Sequence, residues 1–315
     1  MKKILAIAVA TAISAPAMAD MTISGTVAAG YSSTTKNSAA SYALDTTSST
    51  PAVTTTAAKT GDGGFGIDTA ALTISGSETT ESGLTVSGSM SAGGFTRGGS
   101  VGGENASLAI SGDFGKLSIG AVKVATDYIV ALGGADNFAG EFAGESTVDS
   151  VSYTLPGTVG GMAVKVGFTD AIGIGTDNGD VDPYVQANGN VGPAAVHVRY
   201  RTFNKASTLD NQLQLGAVVD AGMVQVGAGY QVSNGAGSNA DNTVTSFSVA
   251  VPMGAATLGA SLVSDKTDGA EAVNGTSVAA SYAITSNISA SAKYNTWDAD
   301  SDKVSSVSAL VSLSF

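Results

Sequence analysis

Cysteine is absent from the 315-residue chain, and histidine and tryptophan occur once each. Without cysteine there is no disulfide framework and no thiol chemistry, and the single histidine, His197, cannot build a multi-histidine metal site. Charged residues make up only 13% of the chain, and acidic residues outnumber basic ones by 26 to 14. A chain with this balance is poorly suited to bind nucleic acid. We therefore expect no metal, no cofactor and no nucleic-acid partner.

Long apolar runs are scarce, and one region at the amino end is the exception. There Lys2 and Lys3 precede an apolar run that leads to Ala17-Met18-Ala19. This order of charged, apolar and small residues is typical of a secretory signal peptide. We predict that residues 1–19 are removed and that residues 20–315 form the exported domain. No later stretch approaches the ~20 consecutive apolar residues of a membrane-spanning helix, which excludes a helical membrane protein.

The chain is instead rich in segments where apolar and polar residues alternate with the two-residue period of a β-strand. The final segment shows the pattern clearly, because Val307, Ala309, Val311 and Leu313 alternate with polar residues before Phe315. Sixteen such segments occur, at 21–31, 66–76, 83–93, 104–112, 115–124, 147–156, 161–170, 181–190, 194–204, 208–220, 221–232, 242–252, 255–265, 273–284, 287–297 and 303–315. An even number of strands with one apolar face indicates a closed barrel between lipid and water. We predict an all-β fold, a transmembrane antiparallel β-barrel of about sixteen strands.

The connections between these segments alternate between long and short, apart from one near-tie after residue 204. The long ones include 32–65, 94–103, 125–146, 171–180, 233–241 and 266–272. Outer-membrane barrels have short periplasmic turns and longer extracellular loops. A soluble β-sandwich has no reason to sort its loops in this way. The loop lengths therefore favour a barrel in the cell outer membrane.

Two stretches have the pattern of tight hairpins. Residues 105–120 place an apolar strand before Gly112-Asp113-Phe114-Gly115 and an alternating strand after it, and residues 149–157 are followed by Gly160-Gly161-Met162. These stretches resemble two successive hairpins of the Gram-negative general porins. The resemblance implies a passive, water-filled channel for small hydrophilic solutes and ions. It also implies a homotrimer in contact with outer-membrane lipid and lipopolysaccharide, and recognition of Phe315 as an assembly signal by the barrel assembly machinery.

The resemblance further implies that the third long loop, residues 125–146, folds into the barrel and narrows the pore. Its acidic residues lie among glycine and alanine, so we predict that Asp136, Glu141 and Glu145 line the constriction; the alternative is a solvated outer loop. The family usually has arginine directly after the glycine that closes the second of these strands, but this chain has Ala121. Constriction residues therefore cannot be transferred at that position.

Positive charge for the opposite wall is expected on one strand. If Val198 and Tyr200 face lipid, alternation places His197, Arg199 and Arg201 in a column inside the barrel. The same alternation of side chains along its own strand, residues 161–170, places Lys165 inside the barrel. A basic wall facing an acidic loop would create a transverse field that orients dipolar solutes. The alternative is a pair of rim arginines that bind phosphate head groups.

Other functions fit the sequence less well. A hydrolase would depend on His197, and no nucleophile and acid are placed around it, so we expect no enzyme. The acidic run at residues 177–182 lacks the calcium-loop pattern and is read as a solvated loop. Two alternatives stay open: a solute-specific channel on the same barrel, and a secreted adhesin or surface-layer β-protein.

Overall fold

The computed structural model describes residues 21–37, 41–45, 52–56, 59–96, 99–123, 128–138, 147–169, 181–204, 207–299 and 302–315. The strands are β1 (Thr22–Asn37), β2 (Ser41–Asp45), β3 (Ala52–Thr56), β4 (Lys59–Thr79), β5 (Thr85–Gly93), β6 (Gly102–Gly112), β7 (Gly115–Lys123), β8 (Thr147–Thr154), β9 (Met162–Thr169), β10 (Asp182–Val191), β11 (Ala194–Thr202), β12 (Leu209–Asp220), β13 (Gln225–Gly235), β14 (Asn242–Met253), β15 (Ala256–Thr267), β16 (Val273–Ala283), β17 (Ile288–Ala299) and β18 (Asp302–Ser314). β1 and β4 to β18 form one closed antiparallel barrel of sixteen strands, and β2 and β3 form a separate hairpin. The predicted sixteen-stranded barrel is confirmed.

Burial in the barrel is inverted relative to a water-soluble protein. On β14, Phe247 is 50% exposed, whereas its neighbour Ser248 is 0% exposed. Ser261 and Ser277, which continue the Ser248 row on β15 and β16, are also buried. Since side chains of a strand alternate between two faces, the exposed apolar face is the outside of the barrel and the polar face is the inside. Sixteen strands enclose a space too wide for side chains to fill.

The carboxyl end closes the barrel. β18 pairs with β1 from Lys303 to Ser314. Beyond this ladder, the Phe315 amide donates to the Gly25 carbonyl at 3.1 Å, and the Gly25 amide donates to the Phe315 carbonyl at 2.8 Å. The Phe315 ring covers Gly25 on the outer face, where a Cβ atom on Gly25 would lie 2.7 Å from the ring. Phe315 is thus part of the seam that joins the first and last strands.

The first connection differs from the prediction of a loop over residues 32–65. β1 continues to Asn37 and β4 begins at Lys59, and the two strands pair along this whole extension. Between them lies the β2–β3 hairpin. The extension is made largely of Thr, Ser and Gly, so it has no apolar alternation from which a strand could be recognised. One apolar contact supports it, a ring pair between Tyr31 and Phe65 with centroids 5.2 Å apart.

Loop lengths follow the predicted sorting around the barrel, apart from the last connection. Residues 113–114 and 192–193 are tight turns on the short-turn rim, and residues 124–146 connect β7 and β8 on the opposite rim. However, β17 and β18 are joined on that opposite rim by residues 300–301 alone. The strands from β12 to β18 contain 11 to 13 residues each, against 8 to 11 for β5 to β11, and take up residues that the loops would otherwise contain.

The described residues contain no helix with the length and apolar character needed to cross a membrane.

Candidate channel constriction

Residues 128–138, which we call the inner segment, cross the polar face of five consecutive strands, β13 to β17. Near its start, the Val130 amide donates a hydrogen bond of 2.9 Å to Ser246 Oγ on β14. Near its end, the Asp136 amide donates a hydrogen bond of 2.8 Å to Ser277 Oγ on β16. Both serines lie on the face opposite the exposed apolar side chains. The inner segment therefore packs against the inner wall.

The wall beneath the inner segment consists of residues with little or no side chain. They are Gly227, Gly229, Ser246, Ser248, Gly259, Ser261, Gly275 and Ser277. A Cβ atom on Gly229 would overlap the Tyr128 carbonyl oxygen, and one on Gly275 would lie 2.8 Å from the Phe138 ring. Glycine permits such a close approach of one backbone to another. These small residues make the track in which the inner segment lies.

Asp136 is the main polar anchor of the inner segment. Its Oδ2 accepts hydrogen bonds from Lys293 Nζ at 2.8 Å and from Asn295 Nδ2 at 2.9 Å, both on β17. Its Oδ1 accepts the Phe138 amide at 2.9 Å, and its carbonyl accepts Ser261 Oγ at 2.5 Å. Partial burial opposes ionisation, but the hydrogen bond and charge of Lys293 and the Phe138 amide hold the pKa of Asp136 below its usual range.

Apolar contacts anchor both ends of the inner segment. A buried cluster contains Tyr128, Ile129 and Phe138 from the segment and Val244 and Val263 from the wall. The only tryptophan, Trp297, packs against this cluster, with its ring centroid 6.1 Å from that of Phe138. Phe138 is 1% exposed and has a φ of 52°, an uncommon backbone conformation for a residue other than glycine. Burying one such ring contributes about 1.5–3 kcal/mol, whereas a partly exposed ion pair contributes about 0–1 kcal/mol.

The predicted basic column lies on β11. His197, Arg199 and Arg201 are all buried on its inner face, and Tyr200 is 42% exposed on its outer face. The Arg199 guanidinium stacks over the Tyr184 ring, with Cζ 4.6 Å from the centroid. Arg201 forms an ion pair of 2.6 Å with Asp182, the first residue of β10. Asp182 is therefore part of the barrel wall, not of a solvated loop as predicted, and it offsets one of the two arginine charges.

The other predicted residues are distributed as follows. Lys165 lies on the inner face of β9, where it pairs in register with Thr154 and Gln186. Glu141 and Glu145 lie outside the described residues. Asp136 lies against β17, bound to Lys293, and not beside the β11 column. The inner segment thus has its own basic partner on the wall that supports it.

Sequence reasoning missed Lys293, Asn295, Asp182 and Trp297. Strand parity could have placed Lys293 inside, because Ala292 and Tyr294 continue the apolar face of β17. No local signal could have joined it to Asp136, which is 157 residues away in the chain.

A cavity of ≈ 550 Å³ adjoins the Asp136–Lys293 ion pair and is also lined by Ala131, Leu132, Ala135 and Val218. Within the described ranges, no group of three metal-ligating side chains is close enough to hold a metal ion.

Solved structures with the same fold were found by structural comparison. The anion-selective porin from Comamonas acidovorans superposes with a TM-score of 0.67 at 13% identity, over 94% of this chain and 100% of that one. A porin refined at 1.8 Å has a TM-score of 0.61 at 18% identity, and a five-site mutant of the Rh. blastica porin has 0.62 at 15%, each with the same coverage. Comparison with curated proteins gave no significant match.

A closed barrel of sixteen strands, apolar outside and polar inside, defines an outer-membrane channel protein. The chain belongs to the Gram-negative porin family, whose model matches residues 6–309. It is an outer-membrane porin that lets small solutes diffuse across the membrane. The alternative of a secreted adhesin or surface-layer protein is therefore wrong.

Replacing Asp136 by asparagine should shift the ion selectivity of the channel toward anions, because the Lys293 ammonium then loses its counter-charge. Reversal potentials under a salt gradient measure this shift. The matched control is Asp268→Asn, which removes a carboxylate from an exposed turn. Equal shifts in the two variants would contradict a role for the Asp136–Lys293 pair in the lumen.

Acidification provides a second measure of the same pair. A carboxylate with a lowered pKa stays ionised as pH falls through the ordinary carboxylate range, so the pair is present above that range and is lost only below it. We expect the selectivity difference between the wild type and Asp136→Asn to persist at mildly acid pH and to vanish only at lower pH. A difference that disappears near neutral pH would contradict this expectation.

Proposed function

We propose that diffusion through this porin is limited at a constriction formed by the third loop, residues 125–146, and the basic wall. The residues assigned to it are Asp136, Glu141, Glu145, Lys165, His197, Arg199 and Arg201. The observation that carries the proposal is the course of the inner segment across β13 to β17, because a segment held on the inner wall of a wide barrel reduces its open cross-section. Solutes are then selected by size, and by charge through the fixed charges around the segment.

Two charges of the proposed constriction, Asp136 and Arg201, are each paired across a short distance. Asp136 with Lys293, and Asp182 with Arg201, form two local dipoles on separate parts of the wall. Paired charges set up a local field without much net attraction for either sign of ion. This arrangement favours a channel that admits small hydrophilic solutes broadly over one that binds a single solute tightly.

Bilayer recordings test the proposal. The purified, detergent-extracted protein should form channels whose conductance rises with salt without saturating, and sugars of increasing size should enter liposomes at falling rates. Saturable block by one solute class would favour the alternative, a solute-specific channel on the same barrel.

Arg199→Ala should make the channel more cation-selective. An unchanged reversal potential in Arg199→Ala would mean that Arg199 lies away from the ion path.

The family and the fold are those of channel proteins. We further propose that the protein is not an enzyme, that the mature chain begins at Asp20, and that it assembles as a homotrimer in contact with outer-membrane lipid and lipopolysaccharide. Crosslinking of the native protein in outer membranes, followed by mass measurement, tests the trimer. Amino-terminal sequencing of the same material tests the cleavage site.

Deletion of Phe315 should strongly reduce the amount of folded barrel in the outer membrane while export to the periplasm continues. The physical reason is the loss of the two backbone hydrogen bonds to Gly25 and of the ring that covers it, together with the proposed recognition of Phe315 by the barrel assembly machinery. Heat-modifiable mobility on gels measures the folded fraction. Phe315→Tyr is the matched control and should be tolerated. Wild-type levels of barrel after deletion would contradict the assembly role.

A further inference from the structure

Two lysines on the inner face lie near the short-turn rim. Lys116 is the second residue of β7, and Lys165 is the fourth residue of β9. Both pair in register with Thr154 of the strand between them, so they share one row of the inner wall at a spacing of about 10 Å. Among the described residues, neither ammonium group has an ion-pair or hydrogen-bond partner. The periplasmic half of this wall therefore carries uncompensated positive charge.

The inner face near the long-loop rim has the opposite balance. Asp62 lies near the start of β4 and Asp265 near the end of β15, and both project inward by register with Thr34 and Val244. Two inward cations near this rim are each held by a carboxylate: Lys36 by Asp302 at 2.6 Å, and Arg201 by Asp182 at 2.6 Å. A third, Arg199, lies deeper on β11 and stacks on Tyr184. The described lumen thus carries excess negative charge at its outer end.

Other charges near the short-turn rim act less strongly on the lumen. Glu81 and Asp113 lie in exposed turns, where bulk salt screens them. Asp220, at the last position of β12, accepts hydrogen bonds from the Gly222 amide at 2.8 Å and Gln225 Nε2 at 3.0 Å, and is fully exposed. Asp220 also lies on the inner face by register with Gln225, so Lys116 and Lys165 together leave this rim of the described lumen with a net positive charge.

We propose that Lys116 and Lys165 form an anion-attracting periplasmic vestibule, opposed by Asp62 and Asp265 at the outer end, so that the channel conducts unequally in the two directions. Anions concentrate beside the lysines, and cations concentrate beside the aspartates. When the long-loop side is positive, both kinds of ion move toward the middle of the pore and its conductance rises. With the opposite polarity both are withdrawn from the middle, and the conductance falls. The inference rests on the proposed passive channel.

Single-channel current–voltage curves test the proposal. In 0.1 M KCl the currents at opposite voltages should differ by roughly 1.5-fold, and the difference should vanish at 1 M, where the Debye length falls from ~10 Å to ~3 Å. The orientation of the channel in the bilayer is determined with Ser238→Cys, which places the only thiol on the exposed turn between β13 and β14. A bulky maleimide added to one compartment reacts with this thiol only if the long-loop rim faces that compartment. The larger current should flow with that side positive.

Lys116→Gln alone should weaken the rectification and leave an open channel. Adding Lys165→Gln, at a residue that is also assigned to the constriction, should remove the rest of the rectification. The matched control of this double variant is Lys266→Gln with Lys303→Gln, which removes the same charge from the outer faces of β15 and β18 and should leave the rectification unchanged. Symmetric wild-type currents at 0.1 M, or equal effects of the two double variants, would overturn the inference while the channel function stands. Absence of any channel would overturn the proposed function itself.

Discussion

Gly229→Ala should destabilise the barrel and lower its single-channel conductance. The added methyl group would overlap the Tyr128 carbonyl oxygen, and both the sheet and the inner segment are backbone at this point, so neither can rotate away. Overpacking of this kind costs about 1–3 kcal/mol. The rigid, closed sheet is the less mobile partner, so the start of the inner segment should move toward the pore axis and narrow the water path.

Gly66→Ala is the matched control, because Gly66 also lies inside the barrel, on β4, and a Cβ atom there would have no neighbour within 4 Å. This variant should be neutral or slightly stabilised, by about 0.4–1 kcal/mol, since alanine has fewer unfolded conformations than glycine. Urea unfolding in detergent gives the stabilities, and bilayer recording gives the conductances. If the two variants behave alike, the inner segment does not lie on the glycine track.

Val198→Arg should impair folding far more than Arg199→Val. Val198 faces lipid, where an arginine near the bilayer midplane costs about 2–4 kcal/mol. Arg199→Val removes the stacking on Tyr184, worth about 0.5–2 kcal/mol, and leaves a valine on the inner wall. Refolding yield into lipid vesicles measures the difference.

The reverse ranking of these two variants would place Arg199 on the lipid side. A shift of one residue in strand register exchanges every side chain between the two faces. The pair of variants therefore tests the register of β11, and with it the inward placement of His197 and Arg201.

The barrel could be predicted from the sequence because its signal is local and repeated. Each strand has apolar residues at alternate positions on its lipid-facing side. One such segment is weak evidence, but sixteen of them together predict a single architecture, the closed barrel. The inward position of Arg199 and Lys165 followed from the same parity. The prediction failed where this alternation is missing. The extension of β1 and β4 consists largely of Thr, Ser and Gly, so it has no apolar face from which a strand could be predicted.

Contacts inside the lumen could not be predicted in this way. The partner of Asp136 is Lys293, and the partner of Arg201 is Asp182. Which inward residues meet depends on the stagger between strands and on the path of the inner segment, and both are set by the closed barrel as a whole. Parity gives the face of a residue but not its height or its neighbour.

The position of Trp297 gives the protein a built-in optical reporter. It is the only indole in the chain, and its ring packs on Phe138 inside the barrel. Indole fluorescence of the folded protein therefore originates at the far end of the inner segment. Quenchers dissolved in the lipid reach only the outer face and should leave this emission unchanged. The ring is partly buried, so a water-soluble quencher that enters through the pore should reach it more fully when the inner segment moves away from the wall. Displacement of the segment can therefore be followed in intact vesicles without a label.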